Sequence, residues 1–186
     1  MNTVAQGDRF EDKVYQALLN ELKDDRLGLS PSTAKLFRKK GYYSRDRKSD
    51  IVVDISIEVW PPGASNYSLL LVCECKDYGH RIPVDDIEEF KAKLDQIAGK
   101  NVKGVFATSN SLQRGVLDYA QSNGIGIVRI LPDNQVRWLI HLITMDKPGK
   151  GVNSLELLSA LTNEGYMGQN QSLLRYVSGL LRWLLV

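Results

Sequence analysis

Two cysteines and two histidines are all that this 186-residue chain offers to soft-metal or redox chemistry. Cys73 and Cys75 are neighbours at i and i+2, a spacing poorly suited to bridging each other on one strand. Only His80 and His141 could join them, so a zinc site lacks ligands and the pair reads as small apolar packing. No apolar stretch approaches the ~20 residues of a membrane span. The opening residues, Met1 to Asp8, lack the apolar core of a signal peptide. A cytoplasmic protein with no membrane partner is expected. There is no Gly-rich phosphate loop of the nucleotide-binding kinds, because Gly124-Ile125-Gly126 is too short. Ser109 and Ser111 have no convincing His and Asp partners. Repeats and low-complexity segments are absent. An excess of one charge is missing too: 24 basic residues face 22 acidic ones, for a net charge of +2. The overall balance therefore does not announce nucleic-acid binding, and local clustering has to decide.

What is present suffices for a folded domain. Hydrophobic residues make up 43% of the chain, enough for a core and too many for a disordered segment. The length suits one domain with an appendage. Phe10, Val14, Leu18 and Leu22 recur at four-residue steps and predict a helix from about Asp8 to Leu27. A short strand near Phe37–Tyr43 is weakly indicated. From Asp50 to Val59, Ile51, Val53, Ile55, Ile57 and Val59 predict one continuous β-branched face, with Asp50, Val52, Asp54, Ser56 and Glu58 opposite. Pro61 to Asn66 is a turn, and Tyr67–Lys76 returns as the second strand of a hairpin. A helix follows at about Val84–Ala98, then a strand at Val102–Thr108, a helix at Leu112–Ser122 and a strand at Ile125–Ile130. The pattern predicts a mixed-sheet α/β domain over residues 1–145. Val136–Ile143 is ambiguous between strand and helix. Residues 146–186 read as a helical extension, with helices at Leu155–Leu161 and Leu173–Leu185. The last is apolar over much of its surface and suits core packing or a homodimer contact.

The chemistry is concentrated in Val72-Cys73-Glu74-Cys75-Lys76. This segment ends an apolar run and places Glu74 and Lys76 on one strand face. Centring the hairpin loop near Ala64 sets Asp54 opposite Glu74, with Cβ atoms roughly 4.5–5.5 Å apart. Two carboxylates in contact repel, and a hard, oxygen-binding Mg²⁺ (or Mn²⁺) would resolve the conflict. Lys76 would then position the attacking water or stabilise charge on a phosphate. A structural ion pair of Lys76 with Glu74 or Asp54, without catalysis, is the plain alternative. Upstream, Lys35, Arg38, Lys39, Lys40, Arg45, Arg47 and Lys48 face a single acid, Asp46. Such a cluster can bind phosphate, or it can be a solvated basic loop.

Asp54 followed by Glu74-Cys75-Lys76 on the next strand resembles the D…(D/E)xK signature of the restriction-endonuclease-like superfamily, PD-(D/E)xK. The element order resembles that superfamily's αβββαβ core. Gly7-Asp8-Arg9-Phe10-Glu11 and the Gly104–Ser109 strand and turn resemble its Mrr-type branch. The resemblance covers roughly residues 7–130. It implies a metal-dependent endonuclease acting on DNA, in host defence or repair, with Asp54, Glu74, Lys76 and Glu11 catalytic. Asp54 and Glu74 would hold the metal, and Glu11 takes the place of the acid that the branch carries in its first helix. Arg45, Arg47, Lys48, Lys39 and Lys40 would grip the nucleic-acid backbone. The proline of the signature is missing: Val53 precedes Asp54, and Ser49 precedes Asp50. Asp50-Ile51-Val52-Val53 therefore competes for the acid position, and the hairpin register favours Asp54. A binding module without catalysis, for nucleic acid or protein, is the competing function on the same fold.

Overall fold

The computed structural model describes residues 3–25, 27–97, 99, 101–130, 139–142 and 154–166. In chain order it comprises α1 (Thr3–Lys23), β1 (Ala34–Ser44), β2 (Ser49–Val59), β3 (Leu69–Lys76), α2 (Val84–Gln96), β4 (Val102–Thr108), α3 (Arg114–Ser122), β5 (Gly126–Arg129), β6 (Leu139–Leu142) and α4 (Ser154–Thr162). The helix, three strands, helix and strand implied by the resemblance head the chain. The weakly indicated strand is β1, a full 11 residues long. The ambiguous segment at 136–143 contributes β6. The apolar helix expected at Leu173–Leu185 lies outside the described residues.

All six strands join one sheet in sequence order. Contacts between β1, β2 and β3 are antiparallel, β3–β4 and β4–β5 are parallel, and β5–β6 is antiparallel. Both faces of the sheet are covered. Phe10, Val14, Leu18 and Leu22 of α1 pack with Leu69, Leu71 and Cys73 of β3 on one face. Ile87, Phe90 and Leu94 of α2, Val116 and Leu117 of α3, and Ala160 and Leu161 of α4 pack with Leu70 and Val72 on the other. A strand covered on both sides has no need of polar alternation, which is why β3 reads as an unbroken apolar run.

β2 departs from the expected single β-branched face. Ile55 and Ile57 pack with α1, whereas Ile51 and Val53 pack with α2 and α3. The reversal has a local cause. The β1–β2 ladder pairs Arg38 with Ile55 and Lys40 with Val53, and omits Lys39 and Asp54 between them. Lys39 adopts a left-handed backbone with φ 46°. Residues on either side of such a break no longer share the two-residue alternation. Leu36 of β1 accordingly packs toward α1, while Tyr42 joins the opposite core. Ile and Val suit either face, so their spacing carried no sign of the switch.

The approach of α2 to β4 depends on Gly104. A Cβ at this position would overlap Leu94 Cδ1 and lie 3.0 Å from Phe90 Cε1, both buried. Overpacking a filled core typically costs about 1–3 kcal/mol. Gly104→Val should therefore lower unfolding stability by about that amount, read from the urea midpoint at unchanged slope. Gly79→Ala is the control, because a Cβ there meets nothing within 4 Å. It should change stability by less than about 0.5 kcal/mol.

Candidate active site

The β2–β3 ladder closes at Ile55 opposite Cys73. The expected pair of Asp54 with Glu74 would be the next step, but the ladder stops short of it: Asp54 bonds to Lys39 beside Glu11 of α1, whereas Glu74 bonds to Lys93 of α2. The strands part there, and the Asp54 side chain takes over from the backbone: its Oδ2 accepts the Cys75 N–H at 2.9 Å. β3 itself runs on beside β4, with Glu74 opposite Phe106 and Lys76 opposite Thr108. The acids thus sit where β2 parts from β3 while staying paired with β1. Asp50 lies beyond the end of that ladder, exposed and paired with Tyr43 of β1.

Two groups of charges form at this point. In the first, Lys39 Nζ donates to Glu11 Oε1 at 2.6 Å and to Asp54 Oδ1 at 2.8 Å. α1 brings Glu11 to the site on its buried stripe, one residue after Phe10. Glu11 is 8% exposed, and its Oε2 is buried without a hydrogen-bond partner. Burial works against the Lys39 ammonium, but the hydrogen bonds and fields of Asp54 and Glu11 outweigh it, so the Lys39 pKa lies above the ordinary lysine value. In the second group, Glu74 Oε1 accepts from Lys93 Nζ at 2.8 Å, and Lys76 Nζ lies 3.5 Å away. Lys76 also lies 3.9 Å from Asp86, which accepts the Tyr78 hydroxyl at 3.2 Å. Burial again opposes the charge on Lys76. Glu74, Tyr78, Asp86 and Glu89 more than compensate, so its pKa is raised and the group is held as a cation.

The four expected catalytic residues therefore gather as two pairs, Glu11 with Asp54 and Glu74 with Lys76. Among the described residues no three acidic, His or Cys side chains form a metal-holding group. The donor chemistry nevertheless suits a hard cation, since all three acids offer carboxylate oxygens. The buried, unpartnered Glu11 Oε2 and the convergence of two carboxylates on one ammonium both mark a locus built for positive charge. Cys75 packs against the α1 side. A hydrogen bond with Cys73, then burial, push its thiol pKa far above the ordinary value, which makes it inert as a nucleophile or soft ligand.

The expected nucleic-acid contacts divide similarly. Arg45, Arg47 and Lys48 share the β1–β2 turn and are exposed. Arg47 Nε donates to Gln96 Oε1 at 2.9 Å, tying the turn to α2. Arg45 and Lys48 have no ion-pair partner among the described residues. Lys39 and Lys40 are engaged inside: Lys39 as described, and Lys40 with buried Glu58 at 2.5 Å. Glu58 also accepts Tyr42 Oη at 2.9 Å and Trp60 Nε1 at 3.0 Å.

Sequence reasoning missed Lys93. It stands beside Leu94 and three residues after Phe90, on the margin of the buried stripe of α2. A lysine at such a margin lays its stem on apolar surface and delivers its ammonium nearby. That position was the available signal.

A family model described as restriction endonuclease, the Mrr-type catalytic family, matches residues 28–137. No curated protein and no solved structure matches the chain. The matched span contains β1 to β5 and, with them, Asp54, Glu74 and Lys76; Glu11 precedes it. With more than half its length matched and the αβββαβ order in place, the chain belongs to the Mrr-type restriction endonuclease family, and its mixed sheet flanked by helices is the restriction-endonuclease-like fold.

Proposed function

We propose that the chain is a divalent-metal-dependent endonuclease that hydrolyses phosphodiester bonds of DNA. The observation that carries this reading is the restriction endonuclease family match over residues 28–137, the span that holds Asp54, Glu74 and Lys76. Asp54 and Glu74, with Glu11 beside Asp54, would hold Mg²⁺ or Mn²⁺. Bound there, the cation would acidify a water and polarise the phosphoryl oxygen. Asp54 is fixed for this task by the Cys75 amide, which orients its carboxylate without neutralising it. Lys76 is held charged between Glu74 and Asp86. It acts as a positioning and charge-stabilising group for the attacking water and the scissile phosphate.

Arg45, Arg47 and Lys48 on the hairpin turn would contact backbone phosphates, which position a duplex without reading its sequence. The apolar sequence Leu173–Leu185, outside the described residues, would serve assembly, as a homodimer. A second reading, a binding module without catalysis, draws on one observation: the acids are already engaged by lysines, Glu11 and Asp54 by Lys39 and Glu74 by Lys93.

An assay on plasmid DNA with Mg²⁺ or Mn²⁺ separates the two. Wild type should cut. Lys76→Ala should cut roughly 10²–10³-fold more slowly, the usual cost of losing one preorganised charge-stabilising group. Glu74→Ala and Asp54→Asn should fall to background, whereas Asp50→Asn should retain wild-type cutting. A wild type that binds DNA yet cuts neither DNA nor RNA with either metal leaves the binding module in possession.

The phosphate contacts have their own signature. Arg45→Ala and Lys48→Ala should each weaken binding about equally for unrelated DNA sequences. Each should reduce the slope of log affinity against log salt by about one. Fluorescence anisotropy across a salt series measures both. An unchanged slope would remove the turn from the interface.

A further inference from the structure

We propose that Lys39 is the resident counter-cation of Glu11 and Asp54, a positioning residue that keeps the two carboxylates converged until a divalent cation takes its place. The inference rests on the metal-dependent reading above and adds a role that differs from gripping nucleic acid.

Four observations carry it. The ammonium touches both carboxylates at once, at 2.6 and 2.8 Å, and the two come from different elements, α1 and β2. No other cation serves them among the described residues: Arg38 pairs with Asp12, Lys40 with Glu58, and Lys93 and Lys76 with Glu74. The match is incomplete. One ammonium faces two carboxylates, and Glu11 Oε2 stays buried with no partner. A single positive charge leaves one negative charge over, which a divalent ion would cancel. Finally, Lys39 reaches this position from a left-handed backbone at the one break in the β1–β2 ladder. L side chains rarely adopt that conformation, and it persists where surrounding contacts impose it.

The lysine is also well placed to leave. Its side chain is 49% exposed, against 11% for Glu11 and 19% for Asp54. The acids are anchored in the fold while the ammonium can swing into water. Occupancy by Lys39 must then be displaced for a metal to bind, and the apparent metal affinity is lowered by that competition. Without metal, the same ammonium spares the fold the repulsion of two converging carboxylates.

The test titrates Mn²⁺ calorimetrically, with melting temperatures in EDTA and in Mn²⁺, for wild type, Lys39→Met and Arg38→Met. Lys39→Met should bind Mn²⁺ roughly tenfold tighter than wild type, a normal size for coupling between competing groups. It should melt lower in EDTA and gain more from Mn²⁺. Arg38→Met removes a neighbouring positive charge and should stay within about twofold of wild type, which separates competition from the general field. Equal Mn²⁺ affinity in wild type and Lys39→Met overturns the role of Lys39 and leaves the metal-dependent reading standing. Absence of binding in both overturns the two together. If Lys39→Met does not fold, the wild type answers alone by mass-spectrometric footprinting with an amine-acylating reagent. Acylation of Lys39 should rise several-fold on adding Mn²⁺ as the ammonium is released, and an unchanged yield overturns the proposal.

Discussion

Lys39 donates to Asp54 across the single position where the β1–β2 ladder lets go. That contact replaces a backbone pair by a charged side-chain bridge, and much of the fold is arranged around it. Below the break, Leu36, Ile55 and Ile57 turn toward α1; above it, Tyr42, Ile51 and Val53 turn toward α2 and α3. The hairpin thereby supplies apolar groups to both cores, each fully buried Ile or Val contributing roughly 1.5–3 kcal/mol. The residues at the reversal belong to neither core. They are the ones free to carry charge, and they are the ones that do.

The near-neutral total charge takes on a different meaning once the pairs are located. Glu11, Glu58 and Glu74 are all buried, and a buried carboxylate is tolerated only with a close cation or several donors. Lys39, Lys40 and Lys93 each stand against one of them, Lys39 shared with Asp54. Basic residues that look like one run from Lys35 to Lys48 are consequently divided. Two are committed to interior acids, and the turn keeps Arg45 and Lys48 unpaired in solvent among the described residues. Long-range attraction for a polyanion comes from such unpaired, exposed charges and acts within about a Debye length of the surface. A global charge count averages these populations together.

The parts of the site that were legible from sequence depend on short-range rules. Alternation placed Glu74 and Lys76 on one face of β3, and loop length placed Asp54 opposite Glu74. The observed ladder confirms that register up to Ile55 and Cys73 and ends one step before the pair. Four-residue spacing found the buried stripe of α1; Glu11, beside that stripe, was singled out only by the family resemblance. What stayed hidden depends on contacts between distant segments. Nothing in Phe37-Arg38-Lys39-Lys40 marks Lys39 as the residue with positive φ, since only Gly or Asn would advertise it. The break in β2 was invisible because Val53 and Ile55 are equally at home on either face. Lys93 looked like surface because its partner, Glu74, is 19 residues away and meets it only when α2 packs on β3.

The folding unit is larger than the span that identifies the family. Residues 28–137 include neither α1 nor α4, yet each closes a face of the sheet. Without α1, the core containing Ile55, Ile57 and Leu71 would lose Phe10, Val14, Leu18 and Leu22 and lie open to water. α4 is bound in through backbone and charge as well as packing. Leu112 N–H donates to the Leu161 carbonyl at 2.9 Å, and buried Arg129 donates to the carbonyls of Ala160 and Asn163 at 2.5 and 2.9 Å. Burial lowers the Arg129 pKa, with Glu164 acting in the opposite direction, so these carbonyls supply much of what water would otherwise give its guanidinium. The helix that covers the α1 face is also the one that carries Glu11. An acid is thus delivered to the edge of the site by a helix the sheet already needs for its own burial, and its ammonium partner comes from the strand whose ladder breaks beneath it.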